Sequence, residues 1–223
     1  GADDLHPYPG LASFTENDAE YFFGREAEIE QMWRKLEGPP RMLGLAGPSG
    51  AGKSSFLQAG LIPGSTAQWS TVACSPGNNP ELSLSRALGA EMSGDSEAVD
   101  LLLRFDDPDV AVEVFSRWRH RAAHAMLIVD QFEELFTQNS LDVQERFGSL
   151  LIRLVLEADV HVLLSMREDF LFRCHAISSL DSVFHEITPL GPPVGGALRR
   201  ALIQPATKCG YRFEDDELVE EML

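Results

Sequence analysis

The chain has 223 residues, 44% of them apolar, which is enough to bury a full core as one α/β domain with an appendage. Eighteen basic side chains against thirty-five acidic ones leave a net charge of −17, which disfavours non-specific association with nucleic acid or an anionic membrane. No apolar run approaches the eighteen or so residues that a membrane span needs, and no signal-peptide pattern opens the chain. Cys74, Cys174 and Cys209 stand far apart without C-x-x-C spacing, so reduced, buried thiols in the cytoplasm are expected rather than a structural zinc site.

The first segment, His6-Pro7-Tyr8-Pro9-Gly10-Leu11, is turn-rich, and Thr15 to Glu20 lead into the aromatic cluster Tyr21-Phe22-Phe23 and then Gly24-Arg25-Glu26. Apolar Ile29, Met32, Trp33 and Leu36 recur at helical spacing, so a helix runs from about Arg25 to Leu36 and stops at Gly38-Pro39-Pro40. Arg41 to Ala46 reads as a short buried parallel strand, and Ser54 to Leu61 as a helix halted by Pro63-Gly64.

Between that strand and that helix lies Gly47-Pro48-Ser49-Gly50-Ala51-Gly52-Lys53-Ser54, followed by Ser55, which satisfies G-x-x-x-x-G-K-[ST] at every fixed position. Chance would produce the pattern in about one chain in a hundred of this length, and the strand–loop–helix context lowers that further. The glycines let backbone N–H groups turn inward around an anion, Lys53 can reach β- and γ-phosphates, and the Ser54 hydroxyl can join the shell of a Mg²⁺ ion. A nucleotide, ATP or ADP, is the expected ligand.

A second strand is expected over Trp69 to Cys74, then the loop Ser75 to Pro80 and helices over Leu82 to Met92, Ala98 to Arg104 and Val110 to Arg121. Ala125 to Val129 is a buried central strand that ends in Asp130. Ligands of open parallel sheets collect beyond the carboxyl ends of the strands, so Asp130 is placed to hold Mg²⁺, directly or through water; a helix-capping aspartate is the alternative. The residue after it is Gln131, which leaves Glu133 and Glu134 as candidates for orienting or deprotonating the attacking water, against a reading in which they form a solvated first turn.

A helix over Val143 to Leu156 and a strand over Val160 to Ser165 follow, with Arg167 just beyond, where a guanidinium could sense a γ-phosphate or else pair with Glu168 or Asp169. Val183 to Ile187 is the last strand expected, and helices follow over Val194 to about Ile203 and from Glu214 onward. His120 and His124 are spaced as two metal ligands on a helix, but Arg119 and Arg121 beside them and the want of a third ligand argue against a metal. The abrupt end inside an acidic helical pattern suggests a piece of a longer protein.

These motifs together resemble the STAND branch of P-loop ATPases, and in particular the bacterial novel-STAND domains. The likeness is carried by Pro7-Tyr8-Pro9-Gly10-Leu11, Phe22-Phe23-Gly24-Arg25-Glu26, the phosphate loop, Val129-Asp130-Gln131-Phe132-Glu133-Glu134-Leu135-Phe136, and Arg167-Glu168-Asp169-Phe170 through to Pro189-Leu190. The rival ABC class lacks support, since no L-S-G-G-Q stretch precedes Asp130. The resemblance implies a three-layer α/β core of the ASCE type with a parallel central sheet over residues 41–190. Residues 1–40 would carry an adenine-side motif, and residues 191–223 would begin a small helical lid. It implies Gly24 and Arg25 on the adenine side, Lys53 and Ser54 on phosphate and Mg²⁺, and Arg167 as sensor. It further implies an ATP/ADP switch that hydrolyses slowly in signalling or antiviral defence. Effector and repeat sensor domains of the same chain would be its partners, together with a nucleotide-dependent homo-oligomer. A scaffold module that binds nucleotide without hydrolysing it is the alternative.

Overall fold

In the computed structural model, residues 7–10, 12–180, 186–213 and 216–223 are described. They divide into two compact units, one formed by Gly1–Lys35, Gly50–Gly64 and Gly191–Leu223 and the other by Leu36–Ser49 and Ser65–Leu190.

The second unit is built on a parallel sheet of β1 (Met42–Gly47), β2 (Trp69–Cys74), β3 (His124–Val129), β4 (His161–Arg167) and β5 (Ile187–Pro189) in the order β2-β3-β4-β1-β5. The inner strands are buried almost throughout and mostly apolar because both of their faces are covered, whereas β2, at one edge, is only half-buried. From the adjacent strands β4 and β1 the chain departs in opposite directions, to β5 and to β2, which makes their carboxyl ends a topological switch point.

One face of this sheet packs on α3 (Pro80–Glu91), α4 (Ser96–Leu102), α5 (Pro108–Arg119) and α7 (Leu141–Glu157) in a single apolar cluster. Helix α7 buries Phe147, Leu150, Leu151 and Leu154, an i, i+3, i+4, i+7 stripe, and α5 contributes Phe115 and the fully buried Trp118. Each of α3, α4 and α5 starts where a side chain takes an orphan amide: Asn79 from Leu82, Asp95 from Ala98 and Asp107 from Asp109. Two short helices, α6 (Glu134–Gln138) and α8 (Leu171–Cys174), lie just after the ends of β3 and β4.

The first unit holds α1 (Glu26–Leu36, as far as Lys35), α2 (Lys53–Ser55), a π-helical turn over Phe56–Leu61 that continues α2, α9 (Gly195–Lys208) and α10 (Asp216–Met222). A 3-10 turn over Glu16–Tyr21 is closed by a capping box between Thr15 and Asp18. Lys208 reaches back to Glu20, and the Tyr8 hydroxyl donates to the Leu202 carbonyl.

Three expectations shift. The strand expected to end at Ser165 runs on to Arg167, because Met166 and Arg167 stay in register with Ala46 and Gly47 of β1. The helix after the phosphate loop is α-helical for only three residues before it widens into the π turn. A strand does occur at Ile187–Pro189, but residues 183–185 of the expected Val183–Ile187 strand lie outside the described residues, as do residues 214 and 215 at the start of the last expected helix.

Candidate functional site

In the second unit, β1 delivers Gly47 to the carboxyl edge of the sheet, in register with Arg167 at the end of β4. Beside them β3 ends at Val129, and Asp130 follows, 7% exposed, its amide held by the Cys74 carbonyl of β2 at 2.8 Å. The Asp130 carboxylate accepts the Gln131 amide at 2.9 Å and caps no helix, since α6 begins four residues later, at Glu134. A nearly buried carboxylate with several lone pairs left over after one N–H suits a hard divalent cation with oxygen ligands, so the residues present fit Mg²⁺.

The two candidate glutamates are now distinguishable. Glu133 Oε2 accepts the backbone amide of Arg167 at 3.3 Å, so it stands at the ends of β3 and β4 beside the exit of β1. Glu134 Oε2 instead takes the Gly77 amide at 3.0 Å, and Asn139 donates to the Gly77 carbonyl at 2.7 Å. That pair pins the β2–α3 loop, a positioning task that already occupies Glu134. Gln131, in the place where an acid was missing, is exposed and has φ of 51°.

Arg167 carries a fork-on-fork pair with Asp169, at 3.0 and 2.7 Å, and lies 5.3 Å over the Phe170 ring. The local partner named as an alternative is therefore the one it has here. At 45% side-chain exposure the pair is accessible to exchange.

In the first unit, the later part of the phosphate loop leads through Gly50 (φ 79°) and Gly52 (φ 83°) into α2, with Lys53 as its first residue and Ser54 next. A Cβ at either glycine would meet nothing within 4 Å, so the left-handed backbone rather than lack of space calls for glycine there. Ser55 Oγ accepts the Phe14 amide at 3.0 Å, which ties the opening segment to α2.

Arg25 is 6% exposed and braces this arc: its guanidinium donates to the carbonyls of Ala51 (2.9 Å) and Gly191 (2.6 Å) and to Glu28 (3.1 Å). Beside it a cavity of about 190 Å³ is walled by Phe14, Phe22, Phe23, Pro193 and Ala201 and floored by Gly50 to Gly52. That volume is smaller than a whole-ligand pocket and has room for one flat ring system. Sequence reading found the aromatic cluster, Gly24 and Arg25, but missed Phe14, Pro193 and Ala201, which carry no local signal and arrive through folding.

Other candidates fall away. His120 ends α5 and His124 begins β3, so the two do not share a helix face. Burial pushes the thiols of Cys74 and Cys174 up to about 12, which leaves them protonated and unreactive at neutral pH.

A parallel sheet with a glycine-rich loop after its β1 and a buried aspartate after β3 defines an α/β P-loop NTPase. The sequence matches Novel STAND NTPase 1 over residues 7–223, and the chain belongs to that family. No curated protein matches it. Among solved structures it is similar to a Walker-type ATPase of Pyrococcus abyssi (TM-score 0.71, 14% identity, 97% of this chain and 66% of that one). It is also similar to the ORC2 protein of Aeropyrum pernix, solved as ADPNP-ADP complexes (0.59, 12%, 82% and 52%). DnaA of Aquifex aeolicus with AMPPCP bound is a third such structure (0.56, 12%, 99% and 61%). These likenesses establish the three-layer P-loop fold. The chain spans less than two thirds of the length of each. Among the described residues no helix is long and apolar enough to cross a membrane.

Proposed function

We propose that this chain is the ATP-binding, slowly hydrolysing switch module of a larger signalling or defence protein of the cytoplasm. The observation that carries the reading is the meeting, at one edge of the sheet, of Gly47 where the phosphate loop begins, the buried Asp130, and Glu133 against the Arg167 amide. In this reading the amides from Gly50 to Ser54 and the Lys53 ammonium bind the phosphates, while Asp130 and Ser54 hold Mg²⁺. The metal would neutralise charge on the β- and γ-phosphates. The flat apolar cavity beside Arg25 takes the base, with Gly24 and Arg25 shaping it from behind. Glu133 orients the attacking water and draws its proton, and Arg167 exchanges Asp169 for the γ-phosphate. The helices after residue 190 act as the lid.

A second reading, a scaffold that holds nucleotide without hydrolysing it, draws on Gln131, an amide where a general base could stand. On charge, neither reading includes direct nucleic-acid binding. Phosphate release from [γ-³²P]ATP by the wild type, Glu133→Gln and Glu134→Gln separates them. Turnover that collapses only in Glu133→Gln, with ATP binding intact, supports the switch. No release by the wild type above a Lys53→Ala blank supports the scaffold.

A further inference from the structure

At the other end of the sheet, away from the carboxyl ends of the strands, the second unit contains a cavity of about 540 Å³, the size of a small-ligand pocket. It lies where β2, β3 and β4 begin. Each strand contributes its first residue, Trp69, His124 and His161, and the connection from α1 to β1 supplies Glu37 and Arg41. The three rings form one cluster: Trp69 stacks on His124 at 4.8 Å between centroids and meets His161 edge-on at 4.9 Å.

Two features of this wall are unexplained by folding alone. His161 is 7% exposed, yet its Nδ1 has no hydrogen-bond partner among the described residues. A buried ring nitrogen without a partner costs stability unless something else supplies the bond, and as the unprotonated nitrogen of a neutral imidazole Nδ1 would take a donor. Arg41, at the mouth, pairs through Nη1 with Asp159, whose other oxygen is taken by Arg119. The remaining nitrogens of its fork are open to an anion. Glu37 on the rim disfavours a second negative group.

We propose that this cavity binds a small planar heteroaromatic acid, a flat ring with an N–H donor for His161 and a single anionic group for Arg41, lying against Trp69. The site is separate from the phosphate loop and does not depend on the nucleotide reading. None of its residues belongs to the machinery described above.

The probe is indole-5-carboxylate, with indole as the analogue lacking the anion and benzofuran-5-carboxylate as the analogue lacking the donor. Each is titrated by ligand-observed NMR into the chain, with and without ATP present. The expected result is millimolar or tighter binding of indole-5-carboxylate, weakened about tenfold or more in benzofuran-5-carboxylate and in His161→Phe. Arg41→Gln, an exposed change, should weaken indole-5-carboxylate severalfold and leave indole untouched, and it serves alone if His161→Phe does not fold. The proposal is overturned if none of the three binds at about 5 mM, or if the affinity of indole-5-carboxylate is the same in the wild type and in both folded variants.

Discussion

Replacing Gly24 by alanine probes how closely α9 approaches the segment before α1. Gly24 has φ of 91°, and a Cβ there would lie 2.4 Å from the Ala197 carbonyl oxygen in the first turn of α9 and 3.3 Å from the Ala201 Cβ. The left-handed conformation costs an L-residue about 1–2 kcal/mol. The backbone oxygen cannot rotate away, so α9 must retreat by about 1 Å, an overpacking cost of about 1–3 kcal/mol. Less chain entropy in the unfolded state returns about 0.4–1 kcal/mol. The net loss is about 2–4 kcal/mol, a fall in melting temperature on the order of 10 °C for a chain of this length. Gly210→Ala is the control: it has φ of 80° with nothing within 4 Å of the added methyl, so it carries the backbone strain alone. Calorimetric melts of both variants decide the matter. Because Ala201 also walls the small cavity, Gly24→Ala should further weaken ATP and ADP alike. A loss for Gly24→Ala no larger than for Gly210→Ala would refute the close approach.

Lys53→Ala should abolish ATP and ADP binding in calorimetric titration, since Lys53 is the only side-chain cation of the loop; unchanged affinity in the folded variant would remove the site. Glu133→Gln should slow turnover by on the order of a hundredfold with ATP affinity kept, whereas Glu134→Gln should act mainly on stability through the weakened Gly77 contact. Equal rates in both would place the catalytic carboxylate elsewhere. Arg167→Ala should weaken ATP more than ADP, and Asp169→Asn should favour ATP by up to about fivefold, the worth of one exposed ion pair; equal effects on both nucleotides would mark the pair as structural. Burial, with Arg41, His124 and Arg119 around it, lowers His161 from 6.5 to about 4. Above pH 6.5 the imidazole is neutral in both folded and unfolded chains; as the pH falls from 6.5 towards 4 the unfolded chain takes the proton first, and about 3 kcal/mol of stability is lost. Urea midpoints between pH 7 and 4.5 should therefore fall less steeply in His161→Phe, and parallel slopes would contradict the shift.

The parts legible in the sequence are those whose cause is local. The inner strands announce themselves because burial on both faces leaves no polar position, and the phosphate loop because each of its roles admits one residue type. The end of β4 was misplaced because Arg167 interrupts the apolar run, whereas its pairing is fixed by Gly47, more than a hundred residues away. Glu133 and Glu134 are chemically alike and adjacent, and only the β2–α3 loop and the end of β4 tell them apart. Arg25 is put on the adenine side by the resemblance. Its hydrogen bonds to Ala51 and Gly191 join three separated stretches of sequence, which no spacing rule reaches.

The same geometry bears on how phosphate sensing and hydrolysis would meet in the proposed site. In the proposed site one carboxylate has two tasks, because Glu133, which would orient the attacking water, also accepts the Arg167 amide through Oε2. That N–H fixes the carboxylate in place, which suits it to positioning a water. Arg167 is constrained in turn, for its side chain must leave Asp169 and the Phe170 ring before it meets a phosphate, and both lie within three residues of it. Exchange of an exposed pair costs about 1 kcal/mol or less, so the arginine can change partners readily. Movement of the β4 end that seats Arg167 on a γ-phosphate also moves the amide that holds Glu133. In the proposed site, sensing and hydrolysis are thereby coupled through one backbone N–H.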